Sequence, residues 1–307
     1  FQYFLKGAAG NSDVGHFFLG KAYYQGEIVK QNIGEAINHF LSAANLGYIQ
    51  AVYQLIDIYF NENDYIDIEK GIKLINALIE KNDPYGFYFL GSLQIEGRHC
   101  PQDINEGIEN LKKSTIDEAY FFLGQIYYHG MSIEVDEKQA LFYFLKSADH
   151  GNVDAMVEAS EIIIKNNLKE NFIPLLKEAS DYYHPKGMAL LGECYLFGKS
   201  VKQNTKKAYS LFLKAAKQKD AIAYRYLGFC YHFGINVTKD NNKAINYYYK
   251  AINNHDFDAA VLLRGISDDL GVGEIEIDNR NIYKEYLIHA ANLGNDEAKA
   301  LLEIIGN

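Results

Sequence analysis

A two-helix pattern that recurs along the whole chain is the feature that most constrains its fold. Its clearest copy is GMALLGECYLFGKSVKQNTKKAYSLFLKAA, residues 187–216. Leu191 and Tyr195 are four residues apart, so they fall on one apolar stripe of a first helix. Gly198 is placed to end that helix, since glycine easily adopts the left-handed conformation beyond a helix C-terminus. Asn204 stands where an N-cap belongs and predicts that a second helix begins directly after it.

Copies of this pattern follow one another at intervals of 31 to 39 residues. Leu-Gly pairs mark the first helices at Leu19-Gly20, Leu90-Gly91, Leu123-Gly124, Leu191-Gly192 and Leu227-Gly228. The predicted N-caps of the second helices are Asn32, Asp67, Asp103, Asp136, Asn167, Asn204, Asp240 and Asn279. One helix pair buries too little apolar surface to fold alone, so the copies are expected to stack.

Three copies depart from the pattern. Ile56, Ser160 and Arg264 stand where the glycine of the first helix is expected. Pro174 lies within the second helix of the fifth copy and should kink that helix or delay its start.

The shared pattern A-x-x-x-L-G-x-x-Y-x-x-G, followed by a loop and K-A-x-x-x-x-x-K-A, resembles the Sel1-like repeat, a relative of the tetratricopeptide repeat. The copies at 119–148 and 223–251 match it best. The second of these carries Ala223, Leu227, Gly228, Tyr231, Gly234, Lys243, Ala244, Lys250 and Ala251. The resemblance implies an all-α, right-handed α-solenoid of about eight helix-turn-helix repeats.

A single array over 1–307 is the expected domain organisation. A remnant second helix occupies 1–11, eight repeats occupy 12–294, and a terminal helix occupies 295–307. The chain is therefore expected to begin inside a repeat, with any earlier segment removed.

Charge and motifs narrow the classes of function. The formal net charge of −10 at pH 7 argues against a nucleic-acid partner, which would need a basic face. No apolar run reaches the roughly eighteen residues of a membrane span, so no membrane insertion is expected. The sequence contains no P-loop, dinucleotide fingerprint or zinc-type cysteine pair. It therefore predicts no cofactor, no metal and no catalytic residue.

The three cysteines indicate packing positions. Cys194 and Cys230 occupy the same position in adjacent repeats, about 10 Å apart at the usual distance between packed helices. That separation is too long for a disulfide, so both are expected to be free, buried thiols. Cys100 lies in a predicted loop.

The resemblance further implies a concave groove lined by the first helices, where a protein or peptide partner would bind. Helical geometry places one set of side chains opposite the buried stripe. The predicted partner-binding residues are Phe18, Lys21, Gln54, Phe89, Phe122, Glu158, Glu161, Glu193 and Tyr226. The sequence leaves one alternative open, in which these rings pack sideways against the next first helix.

These observations predict a non-enzymatic scaffold or adaptor that binds a protein or peptide. Cysteine-rich relatives suggest a β-lactamase-like hydrolase as one alternative, although this chain lacks their cysteine pairs. A second alternative is a repeat segment of a larger protein that carries another domain.

Overall fold

The computed structural model describes residues 1–269 and, beyond them, residues 288, 291, 299 and 302. The chain divides into two compact units, which we call unit 1 (residues 1–136) and unit 2 (residues 137–307). Every regular element between residues 1 and 269 is helical.

Unit 1 contains eight α-helices and one short 3-10 turn, Asn63–Tyr65, between the fourth and fifth helices. The helices are α1 (Gln2–Ala9), α2 (Asp13–Gln25), α3 (Ile33–Asn45), α4 (Ile49–Asn61), α5 (Ile68–Glu80), α6 (Pro84–Glu96), α7 (Ile104–Lys113) and α8 (Asp117–His129).

The described part of unit 2 contains eight further α-helices. They are α9 (Glu137–Asp149), α10 (Val153–Lys165), α11 (Ile173–Asp181), α12 (Pro185–Phe197), α13 (Thr205–Ala216), α14 (Ala221–Phe233), α15 (Asn241–Asn253) and α16 (Asp258–Asp269).

Within each unit, every helix packs on the next helix along the chain. This serial packing of helix pairs confirms the predicted fold class, an all-α solenoid of helix-turn-helix repeats. The single array over 1–307 stays a prediction, and its terminal helix at 295–307 lies almost entirely outside the described residues.

The repeated glycine of the first helix has a direct packing role. A β-carbon added at Gly192 would lie 2.5 Å from the ring of Phe212 on the second helix. The equivalent distances are 2.6 Å for Gly20 and Phe40, and 2.5 Å for Gly228 and Tyr248. A flat ring therefore lies directly on bare backbone in these repeats, and any side chain at the glycine would displace it.

The second repeat, which lacks this glycine, uses the reverse arrangement. Ile56 is buried in one core cluster with Ile75 of α5. Gly71 of α5 now supplies the bare backbone, because a β-carbon there would lie 2.5 Å from the ring of Phe60 on α4. The ring-on-glycine contact is thus kept, with the ring on the first helix and the glycine on the second.

Side-chain caps begin most of the second helices as predicted. The side chains of Asn32, Asp67, Asp103, Asn204 and Asp240 each accept a hydrogen bond from the backbone N–H three residues later. Asp136 directly precedes α9, and Asn279 lies outside the described residues.

The predicted cap Asn167 is wrong. It has a positive φ of 49° just after α10, and α11 begins only at Ile173. Pro174 lies in the first turn of α11, where its missing N–H costs no helical hydrogen bond. The proline therefore delays the helix, which is one of the two outcomes expected for it.

The three cysteines are free, and Cys194 and Cys230 are buried as predicted. Burial raises the pKa of the Cys194 thiol and of the Cys230 thiol to about 12. Neither forms a thiolate near neutral pH, so both act as small apolar packing residues.

Candidate functional site

A cleft of about 170 Å³ opens between α4 and α6 in unit 1, and we call it the first-helix cleft. Its apolar floor consists of Ile56, Phe60, Ile75 and Leu93. Tyr88 and Phe89 form one wall, and the polar rim consists of Asp57, Asn61, Ser92, Glu96 and Arg98.

Helical periodicity explains why these side chains meet. Residues 56, 57, 60 and 61 of α4 repeat with the spacing i, i+1, i+4, i+5, which is one stripe of a helix. Residues 88, 89, 92, 93 and 96 of α6 follow the same spacing. The cleft is therefore the junction of two matching stripes on consecutive first helices.

The polar rim is partly satisfied by its own members. The Asn61 amide donates to Asp57 Oδ1 at 2.6 Å, and the Arg98 guanidinium lies 3.2 Å from Glu96 Oε2. Ser92 Oγ is buried and has no well-formed hydrogen bond to the described residues. The Tyr88 phenol is the polar group within reach of Ser92 Oγ. Because a hydroxyl can both donate and accept, a bound group could form one further hydrogen bond with Ser92.

Phe89 has one edge in a cluster of rings and another edge on the cleft. Tyr53 and Tyr85 stack with ring centroids 4.3 Å apart, and Phe89 lies 6.2 Å from Tyr53. The Tyr53 hydroxyl donates to Asp83 at 2.9 Å, and Asp83 also caps α6. Sideways packing, the alternative left open by the sequence, therefore accounts for part of this ring, while the rest lines the cleft.

The other predicted residues of unit 1 lie outside the cleft. Phe18 is 38% exposed and stacks on Phe4 with centroids 5.2 Å apart. Lys21, Gln54 and Phe122 are half-buried on α2, α4 and α8. The structure thus brings Phe89 into a cavity and leaves Phe18 on an open surface.

In unit 2, the predicted acidic residues already have basic partners. Lys186 Nζ lies 3.3 Å from Glu158 Oε1 and 2.5 Å from Glu161 Oε2. Burial raises the pKa of Glu161. Burial alone would lower the pKa of Lys186, but the two nearby carboxylates outweigh this effect and raise the Lys186 pKa. Glu193 pairs with Lys199 at 2.8 Å. These carboxylates therefore offer a basic ligand much less free charge than the sequence suggested.

Tyr226 is a packing residue, so the expectation that its ring faces an open groove is wrong. It is only 6% exposed, and its ring stacks on Phe212 with centroids 5.1 Å apart. Phe197 closes another side at 6.0 Å, and the Arg225 guanidinium lies 4.7 Å from the ring centroid. Burial raises the pKa of the Tyr226 phenol.

A family model for the Sel1 repeat matches residues 14–48, 86–115, 117–152, 185–220 and 221–256, together more than half of the chain. The chain belongs to the Sel1 repeat family. Between residues 14 and 256, the matched stretches leave out the second and fifth repeats, where α4 with α5 and α10 with α11 nevertheless form packed helix pairs. The predicted eighth repeat, beyond residue 256, is not matched either.

Solved structures show the same fold in other Sel1 repeat proteins. A protective antigen of uropathogenic Escherichia coli with an SLR fold has a TM-score of 0.69 and 23% identity, over 99% of this chain and 66% of that one. A Sel1 repeat protein from Oxalobacter formigenes has a TM-score of 0.55 and 25% identity, over 86% of this chain and 79% of that one.

Two curated relatives are longer than this chain. An uncharacterized protein of Neisseria meningitidis serogroup B is 24% identical over 155 residues, which are 50% of this chain and 32% of that protein. The alginate biosynthesis protein AlgK of Pseudomonas syringae pv. tomato is 30% identical over 111 residues, which are 36% of this chain and 24% of AlgK. The matched parts thus span about a third or less of these relatives.

The Sel1 repeats are also tied together by polar contacts that sequence reasoning missed. Tyr53, three residues before the glycine position of its repeat, bonds to Asp83 at the start of the next first helix. Arg225 holds the same repeat position and pairs with buried Asp256, just before α16, at 2.7 Å. The sequence signal for these contacts is an acidic residue 30 or 31 positions after a polar residue of a first helix.

Neither a metal site nor a membrane helix is found in the part of the chain that the structure describes. No group of three or more His, Cys, Asp or Glu side chains there is arranged to hold a metal ion. No helix there is both long enough and apolar enough to cross a bilayer.

Proposed function

We propose that this protein is a non-enzymatic scaffold whose first-helix cleft binds a peptide segment of a protein partner. Sel1 repeat proteins mediate protein interactions and are typically scaffolds rather than enzymes. The observation that carries the proposal is the cleft itself, an open apolar floor bounded by the half-buried ring of Phe89.

The size of the cleft favours a peptide over a free small molecule. Sites for drug-sized ligands have volumes of roughly 300–1,000 Å³. A cleft of about 170 Å³ is smaller and suits one apolar side chain inserted from a longer chain. Such an anchor in a small apolar pocket is the usual form of a binding hot spot.

The rim indicates what flanks that anchor. Asp57 and Glu96 carry negative charge on two sides of the cleft, and only Glu96 has a basic partner in the rim. Ser92 Oγ can accept or donate one further hydrogen bond. The ligand is therefore a segment with an apolar anchor next to a basic residue, with the charges steering the encounter and the anchor providing most of the affinity.

A displayed random-peptide library selected against the whole protein tests this proposal. Peptides recovered should share an apolar residue adjacent to Lys or Arg, and their affinity is measured by fluorescence anisotropy. Phe89→Ala, alone or with Phe122→Ala, should weaken binding by about 2 kcal/mol or more, the scale of a hot-spot residue. Tyr3→Ala is the matched control, since Tyr3 is an exposed ring of unit 1 on α1, outside the cleft.

Thermal denaturation of each variant separates binding from folding. Because one edge of Phe89 packs against Tyr53, some loss of stability is expected in Phe89→Ala. A folded Phe89→Ala variant that binds the selected peptides as tightly as the unmodified protein would show that the ring is only a packing residue.

A further inference from the structure

A lysine-rich stretch stands out in a chain that is acidic overall. The chain contains 40 Asp and Glu against 30 Lys and Arg. Residues 194–219 nevertheless contain seven lysines and no acidic residue. This stretch forms the end of α12, the following loop, α13 and the turn after α13, so the positive charge is concentrated on one part of unit 2.

Part of this charge surrounds a pocket. A cavity of about 520 Å³ lies where α11, α12 and the start of α13 meet, and we call it the lysine pocket. Lys177, Lys202 and Lys207 line it together with Tyr195, Gln203 and Asn204, and no carboxylate does. Glu178 is next to Lys177 in the chain, but it is not among the lining residues.

The three ammonium groups differ in how they are held. Lys207 Nζ donates to the Tyr195 hydroxyl at 2.9 Å and lies 4.4 Å from the centre of that ring, so its position is defined. Lys177 and Lys202 are exposed and have no ion pair with a described carboxylate. The start of α13, capped by Asn204, adds the partial positive charge of a helix N-terminus. The pocket therefore carries positive charge that the protein does not neutralise.

The positive surface continues beyond the pocket along α13. Lys207 and Lys214 are seven residues apart, so they lie on the same face of the helix, about 10 Å from each other. A small anion would need the pocket alone. A ligand that uses both lysines must be extended, with several negative groups along its length.

We propose that the lysine pocket and the adjoining face of α13 bind a carboxylate-rich segment of a partner protein. A long nucleic acid would extend onto the rest of a chain whose net charge is −10. The stretch also contains no arginine, the residue that binds phosphate in a bidentate manner. A short segment rich in Glu and Asp would not extend onto the acidic part of the chain, and its carboxylates can pair with lysines. This proposal does not depend on the first-helix cleft, which belongs to unit 1.

A fluorescein-labelled, glutamate-rich peptide is the probe, added to the whole protein at low ionic strength. Binding should weaken steeply as salt is added, because the contacts are between exposed charges. The double substitution Lys177→Gln with Lys202→Gln should weaken binding about tenfold, which corresponds to two exposed charge pairs of about 0.7 kcal/mol each. Neither lysine has a described ion-pair partner, so folding should be unaffected.

The matched control removes the same number of charges, from the lysine-rich stretch but outside the pocket. Lys206→Gln with Lys217→Gln lies outside the pocket and should change binding less than twofold. Equal losses in the two double variants would overturn the pocket and leave only a diffuse positive field. Citrate that binds as tightly as the peptide, or a DNA oligonucleotide that binds more tightly, would overturn the identification of the ligand.

Discussion

The same repeat position has opposite environments in the two units. Phe18 and Phe89 of unit 1 lie two residues before the repeat glycine, and both present part of their rings to solvent. Tyr226 holds that position in unit 2 and is buried between Phe212 and Phe197. The three acidic residues predicted to bind a partner in unit 2 are likewise covered by ion pairs, with Lys186 or Lys199.

Neighbouring side chains, rather than the repeat position itself, cause this difference. Phe197 comes directly before the loop glycine of its repeat and lies close enough to cover Tyr226. At Phe18 the neighbour is Phe4 of the short helix α1, which stacks on one face and leaves 38% of the side chain exposed. A periodic sequence therefore gives a periodic backbone, but the exposure of each side chain depends on its neighbours in that repeat.

The largest expected effect comes from truncating the buried ring. Tyr226→Ala should lower the free energy of unfolding by about 3–5 kcal/mol, because it leaves a cavity against Phe212. Phe18→Ala, at the equivalent position of unit 1, should cost about 1–2 kcal/mol, because Phe18 is 38% exposed and so buries less of its ring. Chemical denaturation followed by circular dichroism measures both. Similar losses of unfolding free energy in the two variants would show that the two rings are equally buried, which would contradict the comparison.

A second, smaller effect tests whether Glu158, Glu161 and Glu193 of unit 2 are stabilised by their lysine partners. Lys186→Met removes the basic partner of Glu158 and Glu161, and it should lower the free energy of unfolding by about 1–2 kcal/mol. The loss is smaller than for a fully buried ion pair, because these groups keep some contact with water. Lys199→Met removes a side chain that is 51% exposed and that forms an ion pair with Glu193, so it should cost under about 1 kcal/mol.

Lowering the pH checks the cause of that loss. The pKa of Glu161 is already raised by burial, and it should rise further once Lys186 is gone. Protonation then removes the uncompensated charge, so the cost of Lys186→Met should shrink under acidic conditions. A cost that is independent of pH would mean that lost packing, rather than lost charge, destabilises the variant.

The elements of the fold could be predicted from the sequence because they depend on local signals. Gly198 ends α12 with a φ of 74°, and Asn204 caps α13, as their residue types require. The assignment of Asn167 is wrong because asparagine suits both ends of a helix. It caps an N-terminus with an extended backbone, and it also readily adopts the left-handed conformation that follows a C-terminus, as it does here. Pro174 gave the true start, since a proline is best tolerated in a first turn.

The candidate sites were less predictable, because they depend on contacts between repeats. Phe89 was identified from the helical face alone, but Asp57, Ser92 and the floor of the cleft became apparent only when α4 and α6 were placed side by side. The lysine pocket was missed because Lys177 is 25 residues before Lys202, on a different helix pair. Periodicity gives the register of each helix, and it does not give the shape of the space between helices.

The smallest expected effect is a pH response confined to unit 1. His16 Nδ1 and His39 Nδ1 lie 3.0 Å apart, and the Tyr23 ring stacks on His39. One imidazole must accept the hydrogen bond, so at least one is neutral. Burial, and then His16, lower the pKa of His39, while Glu35 opposes this weakly.

Because folding lowers the His39 pKa, the unfolded chain binds more protons below about pH 6.5, the ordinary histidine pKa. The stabilisation from the neutral pair is therefore fully present above that pH and is lost as the pH falls below it. Hydrogen exchange of α2 and α3 amides should quicken between about pH 6.5 and pH 5, relative to amides of α12 and α13, after correction for the intrinsic exchange rate. His39→Gln should flatten this difference. His129→Gln, an exposed histidine of the same unit, should leave it unchanged, and an equal flattening by both variants would exclude the pair as its source.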